Sequence, residues 1–275
     1  MGGKAVAGRV QGMEKIQERI INITDKLENN CVIGAIRQGM ILMIPLLVVG
    51  YMSAMLINLP IPAFQQFLSE LWGGCIRAFL ENAYVSVNEF FAVYLTVASV
   101  SYSMMKCRRH GIYESTGNIV VLVVITLAAF AAYAGIGYED FSVARCSNMY
   151  AFNALLVALI SGGIYYALKE SRFLQTKQRT NADNVYIGAV EGILPAVVII
   201  GFFVLLRQVI YVMFGVYGLQ ELLEILFNFL LKPLKNGVGA GLIIILLTHS
   251  LWFLGIHGHD MLDTVIKQNF TDVTA

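Results

Sequence analysis

Residues 38–69 read QGMILMIPLLVVGYMSAMLINLPIPAFQQFLS, a stretch without one Asp, Glu, Lys or Arg. A helix needs roughly 20 mostly apolar residues to cross the hydrocarbon of a bilayer. Residues 36–59, closed by Pro60 and Pro62, meet that length. Three more charge-free stretches follow, at 115–138, 146–168 and 236–256. Apolar residues make up 57% of the 275-residue chain and charged residues 13%, with a mean hydropathy of +0.69. A soluble domain carries about 25% charged residues. To be soluble, this chain would have to bury several helices that are apolar all round inside one small domain, which hydropathy argues against.

The fold class is therefore all-α: a polytopic membrane protein with about six transmembrane helices and two amphipathic helices. The spans fall at about 36–59, 84–105, 118–136, 148–168, 187–214 and 238–256. The run 64–82 is interrupted by Glu70, Arg77 and Glu81, and reads as a surface helix. The first amphipathic helix is 13–29, where Ile16, Ile20, Ile23 and Leu27 recur at helical spacing among Glu14, Lys15, Glu18, Arg19 and Lys26. The second is 219–230, with Leu219, Leu222, Leu223, Leu226 and Leu230 on one face and Gln220, Glu221, Glu224 and Asn228 opposite. Three parts follow from this reading. Residues 1–12 are a disordered leader, 13–214 an N-terminal membrane bundle, and 215–275 the start of a further half that is apparently truncated.

Lys and Arg gather near the cytoplasmic ends of spans. Lys15, Arg19, Lys26 and Arg37 precede span 1, Lys106, Arg108 and Arg109 follow span 2, and Lys169, Arg172, Lys177 and Arg179 follow span 4. All three clusters share one side if the N-terminus is cytoplasmic. The signal fades after span 5, where Lys232 and Lys235 sit on the side expected outside. No cleavable leader precedes the first apolar run, so that span is expected to act as its own insertion signal.

The function classes excluded are as informative. A net charge of +1 without a basic stripe gives no footprint for nucleic acid. The sequence holds no Walker lysine loop, HExxH or GxSxG. Gly237, Gly239 and Gly241 form GxGxG, but they open an apolar span, where small residues serve helix packing. Cys31, Cys75, Cys107 and Cys146 lack metal-site spacing and read as small buried hydrophobes. No metal and no cofactor is expected.

Ionisable residues inside a bilayer are costly and call for a role. His257 lies in LWFLGIHG at 251–258, between Gly255 and Gly258, with Trp252 just upstream. Glycines there allow irregular backbone, tolerated at depth where it lines a cavity. An imidazole can donate to or accept from sugar hydroxyls, and Trp252 offers a ring face. The spacing leaves two readings open: a sugar ligand, or a histidine capping a helix end. Glu191 precedes Gly192 and Pro195 in an apolar run and is either a ligand or a carboxylate at the membrane edge. Arg207 is expected to snorkel to the interface, and His249 to be a satisfied interior histidine.

LWFLGIHG, together with AIRQGMILMIPLLVVG at 35–50 and GLIIILLTHS at 241–250, resembles motifs of a known family. These are the membrane (IIC) components of the bacterial phosphoenolpyruvate-dependent sugar phosphotransferase system, lactose/cellobiose/diacetylchitobiose family. The resemblance covers 13–260. It implies a multi-pass permease of the bacterial inner (plasma) membrane and a homodimer working by alternating access. It also implies a β-linked disaccharide as substrate, and cytoplasmic IIB and IIA proteins that deliver the phosphoryl group. It makes His257 the sugar ligand; Gly255, Gly258, Trp252 and Glu191 are further candidates from their own placement, and this chain is expected to carry no phosphoryl group and no catalytic residue of its own. The chain departs from the pattern at NVYIG, 184–188, which lacks two prolines, and it ends before a glutamate-bearing region. An alternative follows from those departures: a permease-like sensory module fused to a signalling domain.

Overall fold

A computed structural model describes residues 31–107, 116–139, 141–170, 184–219 and 238–253, and single positions at 221, 222, 225, 226, 229, 262 and 266. The amphipathic helix expected at 13–29 and the leader before it lie outside these residues. The described chain is helical, without a strand among the described residues. Its main helices are α1 (Cys31–Ile57), α2 (Pro62–Glu70), α3 (Cys75–Asn88), α4 (Phe91–Cys107), α5 (Thr116–Ala134), α6 (Ala151–Glu170), α7 (Asn184–Glu191), α8 (Ile193–Phe214) and α9 (Val238–Phe253).

In hydrocarbon no water can satisfy a free backbone amide, so the chain forms helices and turns their apolar side chains outward. On α1, Ala35, Gly39, Met43 and Gly50 are buried at helical spacing, while Ile41, Leu42, Ile44, Val48, Val49 and Met52 are exposed. The helix continues through Pro45, whose missing N–H leaves the Ile41 carbonyl without its intrahelical donor. The buried face of α1 packs on α3 and α4; α4 packs on α5 and α6, and α5 carries α7 and α8 on its other side. The core runs along these contacts through Leu95, Leu122, Phe130, Tyr133, Val157, Tyr165, Ile199 and Phe203. Some hydroxyls inside the bundle return to their own helix, as when Thr96 Oγ1 donates to the Ala92 carbonyl at 2.8 Å. Ser99, Thr126 and Ser161 are fully buried hydroxyls with no hydrogen-bond partner among the described residues. Their small size suits close helix approach.

Among the described residues, three helices are long and apolar enough to cross a membrane: Val32–Ile57, Asn148–Lys169 and Ile193–Phe214. They correspond to expected spans 1, 4 and 5. The helices at spans 3 and 6 are shorter apolar runs, Ile119–Ala134 and Gly241–Ser250. Span 2, read as a continuous 84–105, is corrected: the helix breaks at Glu89 and Phe90, and Pro62–Asn88 and Phe91–Ser101 form a pair bent by 48°. The bend falls on Asn88 and Glu89, the polar dipeptide of that run. The expected surface helix at 64–82 is two helices, α2 and α3. Trp72, Gly73 and Gly74 join them, all with positive φ, and Trp72 is 79% exposed. Span 5 is also interrupted. Pro195 cannot donate to the Glu191 carbonyl, and the chain breaks at Gly192 between α7 and α8. A Cβ on Gly192 would stand 2.5 Å from Val121 Cγ1, so the break is pressed against α5. Helix α8 closes at Gly215, φ 73°, whose N–H bonds the Tyr211 carbonyl at 2.8 Å, the left-handed cap that glycine favours.

Helices α1 and α4 meet with Gly39 against Ser99, so closely that a Cβ on Gly39 would overlap Ser99 Oγ. Gly39→Ala is expected to destabilise the purified protein by about 1–3 kcal/mol, the usual cost of overpacking. Ser99→Ala in the same chain should restore much of the loss, because it removes the overlapping atom. Thermal unfolding of the two variants and the double variant in detergent checks this. A Gly39→Ala protein as stable as the parent would show that the two helices separate freely.

Candidate functional site

The residues singled out for sugar contact fall on both sides of the described boundary. Helix α9 reaches Trp252 in its last turn, and Gly255, His257 and Gly258 lie outside the described residues. His249, one helical face earlier, is exposed, and its Nδ1 lies 2.7 Å from the Ile245 carbonyl of its own helix. It is satisfied locally, as expected, but is not interior.

Glu191 ends α7, where its carboxylate lies 3.8 Å from Lys169 Nζ at the end of α6. Both side chains are mostly covered, at 18% and 13% exposed. The ammonium also stands 5.6 Å from the Tyr165 ring centroid. Lys169 and Glu191 therefore close one end of the bundle as a partly desolvated pair. They are remote along the helices from the other end, where α5 finishes and α6 begins.

That other end holds a polar cluster which the sequence reading did not assemble. Arg207 does not snorkel: it is 7% exposed, with its guanidinium 4.7 Å from the Tyr138 ring and 4.9 Å from the Tyr217 ring. The space comes from Gly135, which turns the chain at φ 79°. A Cβ there would collide with the guanidinium. Arg145 Nη1 donates to the Ala134 carbonyl at 3.2 Å, and its Nη2 lies 3.6 Å from Glu221 Oε1. Tyr133, fully inside, donates to Asn153 Oδ1 at 3.4 Å and accepts from the Leu219 amide at 2.7 Å. The available signal was sequential: Arg145 lies in the connection with few basic residues, and Glu221 heads the second amphipathic helix. Only the fold brings them together.

Among the described residues no group of three or more His, Cys, Asp or Glu side chains could hold a metal ion. A cleft where α1 and α3 meet the start of α6 is lined by Gly50, Tyr51, Tyr84, Asn88 and Asn148. It admits no more than about one water molecule and is too small for a sugar ring. Cys146 is buried beside the cluster, and burial pushes its thiol up, with the charge of Glu89 adding to the effect. Cys75 is exposed, which corrects its reading as a buried hydrophobe. The side chains of Cys31 and Cys107 lie outside the description.

The described chain is a bundle of apolar helices, broken at Glu89–Phe90 and Gly192. It superposes with TM-score 0.65 on the crystal structure of the transporter ChbC, the IIC component from the N,N'-diacetylchitobiose-specific phosphotransferase system. The match covers 91% of this chain and 59% of that one, at 17% identity. No protein-family model matches the chain. Over 262 residues it is 22% identical to the cellobiose-specific EIIC component of Geobacillus stearothermophilus, covering 88% of this chain and 55% of that protein. Over 268 residues it is 22% identical to the oligo-beta-mannoside-specific EIIC component of Bacillus subtilis (strain 168), covering 92% and 57%. The chain thus spans a little over half the length of the curated relatives it matches. Sequence and fold together make it an integral membrane relative of the IIC components of the sugar phosphotransferase system.

Thiol reactivity follows from these placements. In a variant with Cys31 and Cys107 replaced by Ser, Cys75 is expected to react readily with a maleimide in the native protein. Cys146 should react only on unfolding, because a buried, protonated thiol is a poor nucleophile. Mass spectrometry of the labelled peptides reads both; equal labelling would place Cys146 at the surface.

Proposed function

We propose that this chain forms part of a sugar permease that takes up a β-linked oligosaccharide, most simply a disaccharide, and presents it to a cytoplasmic IIB protein for phosphorylation. The IIB protein is itself charged by IIA. The observation that carries this reading is the relationship itself: the matched relatives are named as permease or EIIC components, one for cellobiose and one for an oligo-β-mannoside. The sensory alternative finds no support among them.

In this reading α1–α8 form the fixed bundle and the homodimer contact, and the residues from 215 onward begin the sugar-binding half. His257 is the sugar ligand, held between Gly255 and Gly258 with Trp252 as a ring platform. Glu191 serves the site from the rim, where its carboxylate lies 3.8 Å from Lys169 Nζ. A sugar crossing the bilayer must exchange its hydrogen bonds to water for bonds to protein, since each unsatisfied group there costs several kcal/mol.

The N-terminus is cytoplasmic in this reading. Three basic clusters support that side, and α6 separates Lys169 at its end from Arg145, which precedes its start. A cysteine replacing Gly137 is expected to react with a membrane-impermeant maleimide added to intact cells. One replacing Tyr186 should react only after the membrane is opened. The reverse pattern would invert the topology.

Transport tests the function directly. Cells that express the intact protein with IIB and IIA should accumulate labelled cellobiose as a phosphate ester, in a manner that requires phosphoenolpyruvate. His257→Ala should weaken sugar binding roughly ten-fold or more, because a neutral hydrogen bond lost from a buried partner costs about 1–3 kcal/mol. His249→Ala should change it far less. Uptake driven by an ion gradient without phosphorylation would refute the reading, and equal effects of the two histidines would refute the site.

A further inference from the structure

We propose that Tyr133, Arg145 and Glu221 form an anchor that fixes the point and direction in which the chain beyond Gly218 leaves the bundle. A helix begins with amides that have no intrahelical acceptor. At Leu219 the acceptor comes from another helix, the Tyr133 hydroxyl of α5 at 2.7 Å. The Tyr217 amide donates to Glu221 Oε2 at 2.6 Å, and the other carboxylate oxygen faces Arg145 at 3.6 Å. Arg145 in turn holds the end of α5 through the Ala134 carbonyl. The Tyr217 ring stacks on Tyr211 of α8, centroids 4.5 Å apart and planes 10° apart, with the Arg145 guanidinium 5.5 Å away. Beneath the turn, the Tyr150 hydroxyl comes so near Gly218 that a Cβ there would stand 2.5 Å from it.

Contacts from α5, α8, Tyr150 just before α6 and the turn at Arg145 thus converge on residues 217–221. Leu222 also packs against the core, while Ile225 and Leu226 are about half exposed and Phe229 is 73% exposed. A bare apolar contact would let the helix slide or roll; a carboxylate tied on both oxygens and an amide tied to a buried hydroxyl set its register. The anchor rests on the fold alone. Under the permease reading it also sets where the sugar ligands, all but Glu191 of which follow residue 219, stand relative to the bundle.

Hydrogen exchange of the purified protein in detergent tests this. Tyr133→Phe keeps the ring and removes the acceptor, so amides of 217–222 should exchange at least ten-fold faster. Peptides from the middle of α8 around Phe203 should keep their protection. Glu221→Gln should produce the same local effect, and Arg145→Gln should add little to it, because both act on one link. Unchanged exchange at 217–222 in Tyr133→Phe would overturn the anchor. Exchange quickened equally throughout the bundle would also overturn it, by showing that Tyr133 is only a core residue. Neither readout depends on sugar uptake, so the permease reading can fail while the anchor stands.

Discussion

A backbone amide in hydrocarbon has no water to turn to, and this condition shapes the rest of the molecule. It requires that each crossing segment be helical, and it removes the hydrophobic drive that packs helices in water, since lipid is as apolar as leucine. What remains is close contact. The bundle finds it by placing glycine or a small hydroxyl residue where helices cross: Gly39 against Ser99, Gly50 against Val87, Gly192 against Val121. The exposed faces of α1 and α8 are then free to be as apolar as the membrane asks.

The same condition explains where the charges went. Among the described residues, the most covered ionisable side chains of this bundle are engaged. Lys169 meets Glu191, Arg145 meets Glu221, and Arg207 lies between two tyrosine rings. A cation held over aromatic faces gains most where water is excluded, which is the setting Gly135 creates for Arg207. Exposed ion pairs contribute little. Arg77 and Glu81, one turn apart on the open face of α3, are of that kind.

The sequence made spans 1 and 4 legible because nothing interrupts them: a charge-free run closed by prolines, or by a lysine, has one good solution in a bilayer. Interruptions were harder to see. Hydropathy averages over a window, so it read through Asn88 and Glu89 and joined two helices that bend apart. Gly192 and Pro195 did mark the break in span 5, but each alone is common inside membrane helices, and only the contact with Val121 shows why the chain stops there. Of the candidate site, Trp252 and His257 are proposed from a motif and not from geometry, since a histidine between glycines is equally a helix cap. Tyr133, Arg145 and Glu221 could not be joined on paper. Their separation along the chain carries no period, and their meeting depends on how α5, α6 and the residues after α8 pack.

With the N-terminus proposed to be cytoplasmic, Arg145 is the basic residue in a connection that the positive-inside rule would keep poor in Lys and Arg. The rule acts while the chain is inserting, on charges that must be carried across. Its penalty for one residue is modest beside the clusters on the opposite side. Once folded, Arg145 is no longer an isolated charge: its guanidinium bonds the last turn of α5 and faces the Glu221 carboxylate. Replacing it with an apolar residue would ease insertion slightly but leave Glu221 and the Ala134 carbonyl short of a partner. An unpaired charge in a covered site costs more than the pair contributes. The residue that looks like noise in the topology signal is therefore the one that the folded end of the bundle requires.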